Sequence, residues 1–328
     1  MFWASGRDAS AVASSRSAAI VSQPISSNTA RIDESTRAVT VRAVFANDQR
    51  KLRPGMLLDA AHTAGLRNVG FQLEPIAAAL DYERRLERES VVLVVDLGGG
   101  TSDFTVVRLG PDRMRHADRS HDVLATTGVH IGGTDFDQKL SLEQVMPLLG
   151  YKHLGPQQRE VPSRTFFDLS TWHLIQWLYS PRALRDAQNL RTDYSDARLH
   201  ARLMRVLHER LGHRMANTVE QAKIAASLAD AEAPMPLDWI EAGLGAAVTP
   251  EGLAQSLLQP LEQVVACAQE CVQLAGLGVQ GLDAIYLTGG SSALRPLRQA
   301  LKAAFPDTPQ VEGDLFGGVA AGLAVSGR

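Results

Sequence analysis

The sequence has very little cysteine, few aromatic residues, little net charge and no long hydrophobic run. Only Cys267 and Cys271 among the 328 residues are cysteines, which excludes a disulfide framework. The 33 lysines and arginines against 36 acidic residues give a formal net charge of −3, so nucleic acid is not expected as a partner. Because no apolar stretch approaches the roughly 18–20 residues of a membrane span, no membrane partner is expected either.

What the sequence does contain is typical of a globular protein. Apolar residues make up 45% of the chain, which excludes wholesale disorder, and the length suffices for two domains or lobes. The two cysteines lie four residues apart in a helical pattern, which favours buried thiols over a metal site. Scarce cysteine also favours a reducing compartment, and we expect the cytoplasm.

Strand and helix patterns alternate in the first third of the chain. Residues 1–37, rich in serine and alanine, are expected to be a disordered leader. The elements predicted after it are strands at Ala38–Phe45, Val69–Leu73, Val91–Val95 and Asp103–Leu109, and helices at 50–65 and 76–88. This order predicts an α/β fold with a mixed sheet.

The rest of the chain is predicted to be mainly helical. One long helix is expected from Asp196 to about Leu228, and a second runs from the cap at Thr249-Pro250-Glu251 to about Leu274. A short apolar strand follows at Ala284–Leu287. The last two helices are predicted from Pro296 onward and over residues 313–326.

Three glycine turns carry the strongest chemical signal. They are the segment Asp96 to Thr101 after an apolar strand, the turn Gly132-Gly133, and the turn Gly289-Gly290-Ser291. Glycine lets the backbone approach a phosphate closely, so that successive N–H groups can bind its oxygens. Each turn alone is equally compatible with a plain hairpin or a tight connection. One ligand in a cleft would explain all three together.

Six segments, in order, resemble motifs of a known family. Asp96-Leu97-Gly98-Gly99-Gly100-Thr101-Ser102-Asp103 is similar to the second phosphate loop of the 70-kDa heat-shock protein family, in the actin-like ATPase superfamily. The other segments are Ala38–Val41 with Asn47–Arg50, Glu74–Leu80, His130–Asp137, Leu287–Ser291 and Asp314–Gly322. The form of Tyr286–Ser291, the stretch Met146–Gly150 and the end after the last helix look most like the short YegD-like branch, which lacks a peptide-binding domain.

The resemblance implies a fold and a domain division. The fold is the bilobal actin-like, ribonuclease H-like ATPase fold. Residues 38–109 would form part of lobe I with the second phosphate loop, and residues 110–312 would form lobe II. Residues 313–328 would be a C-terminal helix that returns to lobe I, and residues 1–37 have no counterpart in the resemblance.

The resemblance also implies the ligands, ATP or ADP with Mg²⁺, and the residues that bind them. Asp96 matches the carboxylate that holds Mg²⁺ through water, Glu74 the carboxylate near the attacking water, and Thr101 a hydroxyl at the phosphates. The positions that match nucleotide contacts are Gly98, Gly99, Gly100, Asp103, Gly132, Gly133, Glu220, Lys223, Gly289, Gly290, Ser291 and Asp314.

The sequence departs from the family in two respects. It contains neither the Asp-x-Gly-Thr-Thr motif of the first phosphate loop nor a counterpart of the catalytic lysine, so lobe I is expected to be incomplete, through truncation or a misplaced start. Ile224 and Ala293 or Leu294 stand where the family has arginines that contact adenine.

These observations predict an ATP-binding, chaperone-like protein without a peptide-binding domain and with impaired hydrolysis. One alternative is a non-catalytic interaction module or truncated gene product, which would bind a protein partner or self-associate. Another alternative is a sugar-kinase-like member of the same superfamily.

Overall fold

A five-stranded mixed sheet is the centre of the described structure. The computed structural model describes residues 2–4, 29–33, 38–42, 69–71, 74–116, 119–229 and 231–313. The strands of the sheet, in spatial order, are β11 (Gln310–Glu312), β10 (Ala284–Thr288), β5 (Ser90–Leu97), β6 (Ser102–Leu109) and β7 (Val123–Val129). The β10 strand is parallel to β5 and β11, whereas β6 is antiparallel to β5 and β7. The predicted mixed sheet and its α/β class are therefore confirmed.

Apolar residues cover both faces of the sheet, which explains why β5 is almost uniformly apolar. Successive side chains of a strand point to opposite faces. Accordingly, Leu93 and Val95 join the larger core cluster, and Val92 and Val94 join a smaller one. The smaller cluster includes alanines of the helix α1 (Glu74–Glu83) and Tyr286 of β10. The described part of the sheet thus lies between α1 on one face and the remaining helices on the other.

The helices on the larger core side follow in chain order. They are α2 (Gly133–Gln144), α3 (Arg164–Ser170), α4 (Pro181–Asn189), α5 (Ala197–His208), α6 (Gly212–Leu228), α7 (Pro250–Leu274) and α8 (Arg295–Ala304). As predicted, Thr249 caps α7, because its hydroxyl accepts a hydrogen bond from the Gly252 amide at 3.0 Å. Two short strands, β8 (Ala233–Pro236) and β9 (Gly245–Val248), pair between α6 and α7.

The prediction of one continuous helix from 196 to 228 is wrong. The chain breaks between α5 and α6 at Arg210, whose φ is +56°. The Leu211 amide bonds the Val206 carbonyl and the Arg210 amide bonds the Leu207 carbonyl, a pairing that terminates helices after a left-handed residue. The apolar spacing continues across the break, so periodicity alone does not reveal it.

Two segments of the expected leader form strands. The strand β1 (Phe2–Ala4) pairs with β4 (Val69–Phe71), and β2 (Thr29–Asp33) pairs with β3 (Ala38–Arg42). The structure thus differs from the expectation of disorder in these segments, where Phe2, Trp3, Thr29 and Ile32 have high strand propensity and acquire strand partners. The predicted helices at 50–65 and 313–326 lie outside the described residues.

A cluster of charged side chains ties α1 to the β6 end of the sheet. The Glu83 carboxylate is 1% exposed and accepts hydrogen bonds from the Gly110 amide and, in a bidentate pair, from Arg119. Arg119 and Arg113 both contact Asp122. Burial alone would raise the pKa of Asp122, but the hydrogen bonds from both arginines outweigh it and lower that pKa. The cluster thus joins α1 to the segment of residues 110–122 that follows β6.

The two cysteines are free thiols. Cys271 is buried in α7, as predicted, whereas Cys267, one turn earlier, is only half-buried. Burial raises the pKa of the Cys271 thiol. In the part of the chain that the structure describes, no helix is long and apolar enough to cross a membrane.

Candidate functional site

The site is built at the carboxyl ends of two parallel strands. Thr288, the last residue of β10, is paired with Asp96 near the end of β5. The loop Gly98–Thr101 follows β5 and the turn at Gly289 follows β10, so both glycine turns leave the same edge of the sheet. The crevice at such an edge is where α/β proteins bind their ligands.

The peptide groups of the phosphate loop, defined here as Gly98 to Thr101, have a fixed orientation. The Gly98 carbonyl accepts a hydrogen bond from the Gly133 amide at 3.0 Å, and the Gly99 carbonyl accepts from the Thr134 amide at 2.7 Å. The Thr134 hydroxyl also donates to the Gly99 carbonyl at 2.8 Å. Because peptides are trans, the N–H groups of Gly99 and Gly100 point away from α2. This arrangement offers two adjacent donors to an anion.

The turn Gly132-Gly133 therefore contacts the phosphate loop directly. A Cβ at Gly132 would lie 2.6 Å from the Gly99 carbonyl oxygen and 2.7 Å from the Gly100 nitrogen. Only glycine lets α2 start this close to the loop. The amides of Gly133 and Thr134 are used by the loop carbonyls, so contact of Gly132 and Gly133 with a nucleotide stays a prediction.

Gly289 allows a similarly close approach between the turn after β10 and the end of β5. Its φ is +81°, and a Cβ there would lie 2.6 Å from both the Leu97 carbonyl oxygen and the Asp96 Oδ1. After it, the 3-10 turn Gly290–Ala293 leads into α8, whose first amide, that of Arg295, donates to the Ser227 hydroxyl of α6 at 2.8 Å. The three glycine turns are therefore brought together, as one shared ligand would require.

Two carboxylates lie side by side next to the loop. Asp96 and Asp103 are directly opposite each other in the β5–β6 hairpin, and both are half-buried. The Thr101 hydroxyl donates to Asp103 at 2.9 Å. Opposite Asp103 on β7, Gly128 leaves room for its carboxylate, since a Cβ there would lie 2.8 Å from Asp103 Oδ1.

This donor set fits a magnesium ion bound mainly through water. Mg²⁺ prefers oxygen ligands, keeps several of its waters and uses one or two carboxylates together with phosphates. Among the described residues, no group of three or more histidine, cysteine, aspartate or glutamate side chains converges as direct metal ligands. Asp96 and Asp103 can instead accept hydrogen bonds from metal-bound waters.

One ion pair lies at the junction of the turns. The Lys223 ammonium of α6 is 2.8 Å from Asp137 Oδ1 of α2 and donates to the Gly133 carbonyl at 3.2 Å. Burial raises the pKa of Asp137, Lys223 lowers it, and the nearby exposed Glu220 raises it further. Lys223 is thus placed against the glycine turns, and Glu220 lies one helical turn before it.

The roles of two predicted site residues stay predictions, and two further residues of the site were not predicted. Glu74 begins α1 and Asp314 lies outside the described residues, so their roles stay predictions. Two residues of the site were not predicted: Thr134, whose hydroxyl binds the phosphate loop, and Asp137, which pairs with Lys223. Asp137 could have been found, because it is four residues after Gly133 and so lies on the same helical face.

Comparison with known proteins agrees with this architecture. A sequence model described as "Hsp70 protein" matches residues 13–146. The chain is 28% identical over 289 residues to the "Chaperone protein HscA" of Pectobacterium atrosepticum, covering 88% of this chain and 36% of that protein. It is 26% identical over 277 residues to the "Chaperone protein dnaK" of Guillardia theta, covering 83% and 35% respectively.

A shorter region is more similar to a third relative. Over 110 residues the chain is 39% identical to the "Stromal 70 kDa heat shock-related protein, chloroplastic" of Spinacia oleracea, covering 33% of this chain and 16% of that protein. This chain spans about a third of the length of the first two relatives. The matched range begins at residue 13, within the residues 1–37 for which no counterpart was expected.

The mixed sheet, the helices on both faces and the glycine turns at one sheet edge define an α/β protein of the actin-like ATPase fold. The family match and the relatives narrow this class. By these matches the chain is similar to the Hsp70 family.

Proposed function

We propose that this chain binds an adenine nucleotide, ATP or ADP, together with Mg²⁺ in the crevice formed by the three glycine turns. The observation that carries the proposal is the orientation of the phosphate loop. The Gly98 and Gly99 carbonyls accept hydrogen bonds from the start of α2, so the N–H groups of Gly99 and Gly100 point away from that helix. Similarity to the Hsp70 family supports the same ligand. The cytoplasmic location and a protein partner stay predictions.

Different residues of the site would bind different parts of the nucleotide. The N–H groups of Gly99 and Gly100 would bind phosphate oxygens, and Lys223 would bind near the sugar. Asp96 and Asp103 would hold the waters of Mg²⁺, which when bound neutralises phosphate charge. Ile224 is 39% exposed one residue after Lys223, so the base would meet an apolar side chain at that position.

Replacing Gly132 with alanine tests the binding site. The unchanged chain is expected to bind MgADP with micromolar to millimolar affinity, about −8 to −4 kcal/mol by calorimetry. The added Cβ of Gly132→Ala would lie 2.6 Å from the Gly99 carbonyl and displace the loop, so we expect at least a ~10-fold loss of affinity, about 1.4 kcal/mol.

Gly278→Ala is the matched control for this variant. Gly278 has an extended backbone, as Gly132 has, and nothing lies within 4 Å of a Cβ there. Its affinity and melting temperature should match those of the unchanged chain. Absence of MgADP binding by the unchanged chain up to millimolar concentration would refute the proposed function.

We also propose that the chain hydrolyses ATP very slowly. Phosphoryl transfer depends on positioning and charge stabilisation, and loss of one preorganised donor typically costs ~10²–10³ in rate. The 328 residues contain no Asp-x-Gly-Thr-Thr segment to supply the first phosphate loop of the family. Single-turnover hydrolysis of radiolabelled ATP, with Asp96→Ala as control, measures the rate. A rate similar to that of a full-length relative, abolished in the control, would contradict this proposal.

A further inference from the structure

Lys223 is buried to an unusual degree for a lysine. Its side chain is only 6% exposed, and burial of an ammonium group is costly unless acceptors surround it. Two acceptors are present, the Asp137 carboxylate at 2.8 Å and the Gly133 carbonyl at 3.2 Å. Since both belong to α2, they fix the Lys223 ammonium relative to the start of that helix.

The ammonium keeps N–H groups for a ligand. A lysine ammonium has three N–H donors; the Gly133 carbonyl accepts one of them, and Asp137 Oδ1 lies 2.8 Å from Nζ as the partner of an ion pair. A Cβ built at Gly133 would lie 3.7 Å from Lys223 Nζ and 2.4 Å from Ser291 Oγ. The amine and the Ser291 hydroxyl therefore flank the same point, where α2, α6 and the turn after β10 meet.

Stability alone does not explain this pair. A buried ion pair is often no more stabilising than apolar residues of similar volume, because desolvation offsets the attraction. The Asp137 carboxylate is itself largely buried, and this burial disfavours its charged form and raises its pKa. The pair adds to the crevice a positive charge at a fixed position, with N–H groups left for a ligand.

We propose that Asp137 is a positioning residue of the nucleotide site: its carboxylate holds the Lys223 ammonium so that one donor faces the ligand. The inference rests on the proposed function for the identity of the ligand. The contact that it assigns to Asp137 exists in the free protein and is tested there separately.

The first experiment measures the chemical reactivity of the Lys223 amine in the nucleotide-free full chain. An amine-reactive ester labels the lysines, peptide mass spectrometry gives the rate at each, and the exposed Lys302 is the internal reference. Asp137→Asn is expected to raise the relative labelling rate of Lys223 about tenfold, since a released ammonium swings toward solvent. Asp137→Glu, which keeps the charge, should restore most of the protection. Unchanged labelling of Lys223 in Asp137→Asn would overturn the proposal.

The second experiment is a double-mutant cycle with ADP as the probe, measured by calorimetry. Asp137→Asn and Lys223→Met are each expected to weaken ADP binding about tenfold, and the double variant should be no weaker than Lys223→Met. A merely structural role of Asp137 predicts instead an equal further loss in the Lys223→Met background, which would overturn the proposal.

The control variant is Asp168→Asn, whose carboxylate pairs with exposed Arg164 at 3.7 Å outside the site. It should change neither Lys223 labelling nor ADP affinity. If Asp137→Asn fails to fold, Asp137→Glu serves in both experiments, with an intermediate labelling rate expected and full protection counting against the proposal. If the unchanged chain does not bind ADP, the proposed function fails and the site assignment with it, while labelling still decides whether Asp137 holds Lys223.

Discussion

Gly289→Ala is expected to destabilise the protein by about 2–5 kcal/mol in urea-induced unfolding. Two costs combine at this position. The φ of +81° costs an L-residue about 1–2 kcal/mol. The added Cβ would also lie 2.6 Å from the Leu97 carbonyl oxygen, and such overpacking costs about 1–3 kcal/mol.

Gly276→Ala separates the two costs. Gly276 has a similar φ of +71°, but nothing lies within 4 Å of a Cβ there. This variant should lose only the conformational share, about 1–2 kcal/mol. Equal losses in the two variants would show that the close approach of the turn to β5 contributes nothing to stability.

Glu83→Ala is expected to destabilise the protein by about 3–5 kcal/mol, because it removes one partner of a buried ion pair. The carboxylate is 1% exposed and accepts from Gly110 and from both terminal nitrogens of Arg119. Its loss leaves the Gly110 amide and part of the guanidinium without an acceptor. The measurement is the free energy of unfolding in urea.

The matched control is Asp186→Ala in the pair that Asp186 forms with Arg182 at 3.9 Å. Both side chains are mainly exposed, at 69% and 89%, and surface pairs contribute about 0–1 kcal/mol. A change in Glu83→Ala as small as in this control would show that the charged cluster does not hold α1 on the sheet.

Some features of the binding crevice could be predicted from the sequence, and others could not. The phosphate loop could be predicted because its glycines follow a continuous apolar strand, a local pattern. The role of Thr134 and Asp137 could not be predicted, because each acts on a residue from another element, the Gly99 carbonyl and the Lys223 ammonium. Charge and spacing along the chain do not determine which helices meet.

The break between α5 and α6 illustrates the same limit at the level of secondary structure. Leu203, Val206, Met215 and Val219 are buried on both sides of it, so the apolar period predicts one helix. A Cβ at Gly212 would lie 2.5 Å from Ile175 and 2.8 Å from the Tyr179 hydroxyl, whose oxygen accepts from the Gly212 amide. The chain therefore turns where a distant segment packs against it.

The sequence by itself determined the α/β class, the mixed sheet, the glycine turns and the family resemblance, because strand and helix periods and turn chemistry are local properties. Only the tertiary structure decided that β10 lies beside β5, that the α2 start orients the phosphate loop, and that Asp137 meets Lys223. These contacts join residues up to 192 positions apart, as Asp96 and Thr288 show. Burial of apolar surface on both sheet faces selects such pairings for the whole chain at once, and no single segment specifies them.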